Sequence, residues 1–145
     1  MATAPGIHQT RYAGPPFDDA HVYDAMRVGV ITCRPETPLR DVAQMMSGYG
    51  VHAVVVQDVG PGTRPWGIVS ALDLAGAPGS DLSELKARDV ATSELVTVHT
   101  DESLAQAAKL MTDHGVTHLV AVDSADWPCG VISAGGLAAA LAAGR

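Results

Sequence analysis

The chain has 145 residues, 47% of them apolar, enough for one compact domain or two small halves that share a core without covalent staples. A formal net charge of −7, with nine Lys and Arg scattered along the chain, leaves no basic stripe to follow a phosphate backbone and argues against nucleic acid and anionic membranes as partners. Two cysteines, Cys33 and Cys129, are too few for a disulfide framework and lack metal-ligand spacing, so both are expected as buried or half-buried thiols.

Residues 1–20 carry Pro5, Gly6, Gly14, Pro15 and Pro16 without an apolar segment, which predicts a flexible or draped tail and not a signal peptide. A short lead-in with Asp24-Ala25-Met26 follows. Thr37 is placed as an N-cap with Pro38 as the first helical residue, and Leu39, Val42, Ala43 and Met46 recur at i, i+3, i+4 and i+7, the period of an amphipathic helix. Gly48 and Gly50 suit a left-handed C-cap. Val51 to Val56 is β-branched and short, hence a mostly buried strand, and the turn-rich stretch 58–65 leads into a second apolar run from Trp66 to Ser70, completing a hairpin. A helix over Ala71 to Ala75 and onward closes the unit. Residues 76–86 read as a linker, with a helical start at Ser80 or Asp81.

The same order then recurs. Ile31 to Asp58 lies over Val96 to Asp123 at a constant offset of 65, with Thr32/Thr97, Leu39/Leu104, Ala43/Ala108, Met46/Met111, Gly50/Gly115, Val51/Val116, Val55/Val120 and Asp58/Asp123 identical. Thr100 and Asp101 are the capping candidates of the second helix, Val116 to Val122 its following strand, Cys129 to Ser133 the return strand, and Ala134 to Ala143 the last helix. Even the lead-in has an echo at Asp89-Val90-Ala91. Beyond the hairpin, Gly67-Ile-Val-Ser70-Ala-Leu-Asp73 lies over Gly130-Val-Ile-Ser133-Ala-Gly-Gly136, so that Asp73 is matched by Gly136. The apolar stretch Leu137 to Ala143 is far short of the ~20 residues that cross a bilayer, and a cytoplasmic protein is expected.

The lead-in with Asp24 and Met26, the Thr37-Pro38-Leu39 helix start, the Gly50-Val51 strand entry and the Gly67 to Asp73 motif resemble a cystathionine-β-synthase (CBS) domain. The tandem resembles a CBS pair, or Bateman module, that stands alone. The resemblance implies an α+β (α/β) fold of two pseudo-symmetric β-α-β-β-α repeats packed sheet to sheet, over residues 21–75 and 87–145. It also implies a regulatory, non-catalytic role in which AMP, ADP, ATP or S-adenosylmethionine binds between the repeats with no required cofactor, a homodimer, and a regulated protein as a further partner.

For the site, the resemblance implies that Asp73 would accept hydrogen bonds from both ribose hydroxyls and Ser70 would bond ribose or phosphate. His52 would face a phosphate, Thr117, His118 and Ser133 would be the counterparts from the other repeat, and Val51 and Val116 would pack against the base. Gly136 makes the second site the weaker one. Plainer readings stand beside these. Ser70 and Ser133 would serve equally as helix caps, Asp73 as a first-turn carboxylate complementing the helix dipole, and His52 and His118 as residues on an exposed sheet face. A ligand-free module that dimerises or docks a partner is therefore the alternative. Catalysis is not expected: the serines fall one place too late for a G-x-S-x-G elbow, and no Walker loop, dinucleotide fingerprint or H-E-x-x-H occurs.

Overall fold

The computed structural model describes residues 12–77, 82–92 and 95–143. After a 3-10 turn at Phe17–Asp19, the elements run α1 (Val22–Ala25), β1 (Arg27–Val28), β2 (Thr32–Cys33), α2 (Leu39–Tyr49), β3 (Ala53–Gln57), β4 (Pro65–Ser70), α3 (Ala71–Ala75), α4 (Ala87–Val90), β5 (Thr97–His99), α5 (Leu104–His114), β6 (His118–Val122), β7 (Pro128–Ser133) and α6 (Ala134–Ala143). Two sheets form, ordered β1-β7-β6-β5 and β2-β3-β4. Each contains an antiparallel hairpin and one parallel strand, β2 beside β3 and β5 beside β6.

Alternation along the central strands explains how the sheets stack. Val54 and Val56 join one core with Leu39, Val42 and Met46, while Leu119 and Ala121 join the other with Leu104, Ala107 and Met111. The intervening Val55, Val120 and Val122 meet in a small third cluster, packed by Val30 and Leu95. With a side-chain period of two, one face of each strand covers helices and the other covers the opposite sheet. Met46 and Met111 are 7% and 6% exposed, so the apolar faces of α2 and α5 are spent inside the chain's own cores.

The lead-in segments are exchanged between the repeats. Strand β1 pairs with β7, Arg27 opposite Val131, and Val22 lies in the second repeat's core; Thr92 bridges Ile68, and Ala87 lies in the first repeat's core. Gly67 and Gly130 stand where these crossings press on the backbone: an added Cβ would lie 2.8 Å from the Thr92 carbonyl oxygen or 2.6 Å from that of Arg27. The first turns of the long helices are closed by the same exchange. Leu39 N and Arg40 N donate to Leu85 O and Leu82 O, and Leu104 N donates to Ala20 O, filling orphan donors that a helix start leaves free.

Several local expectations change for that reason. Thr37 is not a side-chain N-cap; Pro38 takes the cap position with extended backbone, and the Thr37 hydroxyl oxygen instead accepts from Arg34 N at 3.0 Å. In the second repeat Ser103, and not Thr100 or Asp101, caps α5 by accepting from Gln106 N at 3.0 Å. Gly48 falls inside α2, while Gly50 and Gly115 end their helices at φ 65° and 64°. The strands begin two residues later than the apolar runs, because Val51 N and Val116 N bond back to Met46 O and Met111 O. A helical start at Ser80 or Asp81 lies outside the described residues. Residues 12–20 are draped over the second repeat, with Phe17 packed on its core and Ala20 1% exposed.

Candidate functional site

The Gly-h-h-Ser motif of each repeat delivers a serine to a strand-to-helix junction. At the first, Ser70 Oγ accepts from Asp73 N at 3.1 Å while Asp73 Oδ2 accepts from Ser70 N at 2.8 Å, a reciprocal capping box. At the second, Ser133 Oγ accepts from Gly136 N at 3.1 Å, and no carboxylate returns the bond. Capping therefore accounts for both serines, and it occupies one oxygen of Asp73. The other carboxylate oxygen takes no part in the box.

Ala71 N and Ala134 N each donate at 2.8 Å to a carbonyl of the loop before their own repeat's central strand, those of His52 and Thr117. The two loops thereby stand beside the two junctions. His52 is exposed and precedes β3, whereas His118 opens β6, is half-buried, and has its Nδ1 3.1 Å from Thr117 Oγ1. Burial pushes the His118 imidazole below its ordinary pKa, the neighbouring His52 pushes it the same way, and Asp73 opposes both. His52 and His118, from different repeats, thus lie within electrostatic reach of each other and His118 of Asp73.

A cleft of about 1220 Å³ opens along this seam. Val51, His52, His118 and Ser133 line it, whereas Ser70, Asp73, Val116 and Thr117 do not. It lies against Gly135 and Gly136, on the side where the carboxylate is missing, and its far wall is the lead-in from Tyr23 to Gly29 with Ile31. At Gly136 an added Cβ would come to 3.1 Å from the Ala25 carbonyl oxygen, so the exchanged lead-in leaves little room for any side chain. Arg27 brings a cation to the wall and donates to Gly50 O at 3.1 Å and Tyr49 O at 3.5 Å, satisfying carbonyls at the end of α2. Tyr12, Tyr23 and Tyr49 also line the cleft. Sequence reasoning passed over these tyrosines because none is repeated: the offset of 65 puts Ala77 and Arg88 opposite Tyr12 and Tyr23.

The thiols are poor nucleophiles. Cys33 is buried and its pKa is pushed up to about 11 by that burial, and burial also raises Cys129, with Asp123 adding to the rise. Among the described residues no group of three His, Cys, Asp or Glu side chains is arranged to hold a metal ion, and no helix is long and apolar enough to cross a membrane.

The model of the CBS domain family matches residues 22–79 and again 87–143. The chain belongs to the CBS-domain family. Among solved structures, a CBS-domain protein from Agrobacterium tumefaciens is 22% identical, with a TM-score of 0.72 over 83% of this chain and 92% of that one. The CBS domain pair of protein MJ0100, solved with 5′-methylthioadenosine and S-adenosyl-L-methionine, is 18% identical, with a TM-score of 0.70 over 82% of this chain and 97% of that one. At these identities the likeness shows the CBS-pair fold. Among curated relatives, an uncharacterized protein of Methanopyrus kandleri is 30% identical over 77% of this chain and 58% of its own length. A homoserine O-acetyltransferase of Methanocorpusculum labreanum is 28% identical over 77% of this chain and 22% of its own length. The chain thus spans less than two thirds of either relative.

Proposed function

We propose that this CBS pair is a non-catalytic sensor that binds an adenosine-containing ligand, such as AMP, ADP, ATP or S-adenosylmethionine, between its repeats and biases how two copies or a regulated protein pack. The observation that carries the reading is the convergence at the seam, where Asp73 of the Ser70-Asp73 helix start in one repeat and His52 both lie within electrostatic reach of His118 of the other. On the Asp73 side of the seam, Asp73 anchors the ribose with its remaining carboxylate oxygen, Ser70 and Thr117 bond ribose or phosphate, and Val116 packs on the base, while Val51 packs on a base in the cleft of the other side. The adenosine compounds held by the MJ0100 pair support the ligand class. The short stretch shared with homoserine O-acetyltransferases suits a module that serves a catalytic chain without performing the chemistry. Action in the cytoplasm, as a homodimer, belongs to the same proposal.

A thermal-shift series with adenosine, AMP, ATP and S-adenosylmethionine tests it. A ligand at a hundred times its Kd stabilises the folded chain by about 2.7 kcal/mol, a clear rise in Tm. No rise with any of the four at millimolar concentration would refute ligand sensing. The second reading, a ligand-free scaffold, is favoured by one observation: Ser70 and Asp73 already satisfy one another as a cap.

A further inference from the structure

The two sides of the seam differ in opposite senses. On one, Asp73 is present and the lead-in positions hold Ala77 and Arg88; on the other, Gly136 stands in place of the carboxylate and the same lead-in positions hold Tyr12 and Tyr23. The glycine side is the side of the open cleft, and both tyrosines line it.

Tyr12 is held there by a built arrangement. Its ring lies so close over Gly14 that an added Cβ would come within 2.8 Å of Cζ, and its hydroxyl donates to Pro15 O at 2.5 Å. Downstream, the segment is pinned by Phe17, packed on the second core, and by Ala20, whose carbonyl accepts from Leu104 N. Asp24, another lining residue, is near enough to raise the phenol's pKa further, after burial has raised it. With the hydroxyl committed to Pro15, what Tyr12 offers a ligand is a flat apolar face, and a flat aromatic face favours a planar heteroaromatic ring.

We infer that Tyr12 is a specificity-determining residue of the glycine-side cleft, gripping the planar base of a nucleoside there while the sugar hydroxyls go without an anchor. The inference rests on the reading that the seam between the repeats takes adenosine-type ligands, and it adds that this cleft ignores the ribose diol. Losing an aromatic ring from under a base weakens binding about tenfold, the equivalent of about 1.4 kcal/mol. The hydroxyl places the ring through Pro15 and is not itself a ligand contact.

The test is calorimetry on the full chain with adenosine and 2′,3′-dideoxyadenosine, first unmutated and then with Asp73→Ala to remove the ribose anchor of the other side. In the Asp73→Ala chain the two compounds should bind within about twofold of each other. Adding Tyr12→Leu, which keeps apolar packing on the core, should weaken both about tenfold, and Tyr12→Phe, which keeps the ring, should bind both clearly more tightly than the Tyr12→Leu chain, with circular dichroism confirming that each variant folds. Unchanged affinity in Tyr12→Leu, or binding that requires the diol, overturns the inference. So does an Asp73→Ala chain that binds neither compound while the unmutated chain binds adenosine, an outcome that leaves the sensor reading standing. An unmutated chain that binds neither overturns both.

Discussion

Asp73 carries two assignments at once, a helix cap and a ribose anchor, and they separate by measurement. Losing the carboxylate removes one half of a capping box, which costs stability of about 1 kcal/mol with or without ligand. If the free oxygen also holds ribose, Asp73→Ala weakens adenosine binding at the ribose-dependent site by about 2 kcal/mol or more, the scale of a charged hydrogen bond lost. Calorimetry that finds stability lowered and affinity untouched leaves Asp73 as a cap alone. His118 makes a second residue-scale prediction. Its pKa is lowered by burial and by His52, so the folded chain holds a neutral imidazole where the unfolded chain, near the ordinary value of about 6.5, begins to take a proton. Stability without ligand therefore falls as pH drops through that value, because the unfolded state binds more protons. A phosphate reverses the preference by stabilising the imidazolium, so affinity for AMP should rise from pH 8 toward 6 while affinity for adenosine should not. Parallel pH profiles for the two ligands would show that neither histidine touches phosphate.

At the scale of elements, the crossings of the exchanged lead-ins bring backbone against backbone with no room for a side chain at Gly67 or Gly130. Gly130→Ala puts a methyl group 2.6 Å from Arg27 O and 2.9 Å from Met26 Sδ, and one of these is backbone that can yield only by shifting β1. Overpacking of this kind costs about 1–3 kcal/mol. Gly48→Ala is the contrast: it lies inside α2 with nothing within 4 Å of its added Cβ, and it should stabilise by about 0.5–1 kcal/mol through helix propensity. Urea denaturation of both variants checks the pair, and a Gly130→Ala chain as stable as the parent would mean that β1 is not held against β7 in solution. The hairpin tips make a further contact between repeats, where Arg64 stands 5.7 Å from the Trp127 ring centroid and donates to Asp126 O at 3.4 Å. Both pairs are exposed, and pairs of that kind contribute little.

For the whole molecule, exchange makes each half incomplete. The first repeat's core is filled by α4 and the second's by α1, so cutting at the linker would strip each core of a buried element. Among the described residues, the large apolar side chains exposed on helices away from the cleft are Leu72 on α3 and Leu141 on α6, at 78% and 58% exposure. They, and not Met46 and Met111, are what a second copy would cover. We expect a homodimer that buries these helices, and sedimentation at tens of micromolar should show it. A monomer under those conditions would contradict the dimer and leave the ligand sites unaffected.

Local pattern was enough to read most of the architecture from the chain alone. The apolar period of α2 and α5, the left-handed glycines at 50 and 115, the paired hairpins and the spans Ala71–Ala75 and Ala134–Ala143 are written in residues close in sequence, and the repeat registers them twice. The Asp73/Gly136 contrast was legible for the same reason. What only the tertiary structure decided is which surface each buried group meets. An apolar residue at Val22 or Ala87 reads as buried whether it enters its own repeat's core or its neighbour's, and only closure of both sheets selects the exchange. That closure supplies backbone carbonyls to helix starts that Thr37 and Thr100 were expected to cap. It also sets the Tyr23 to Gly29 wall against Gly136, with Tyr12 alongside. The cleft is lined by residues far apart in the chain, and its opening is a property of how two sheets meet, which no periodicity along the sequence encodes.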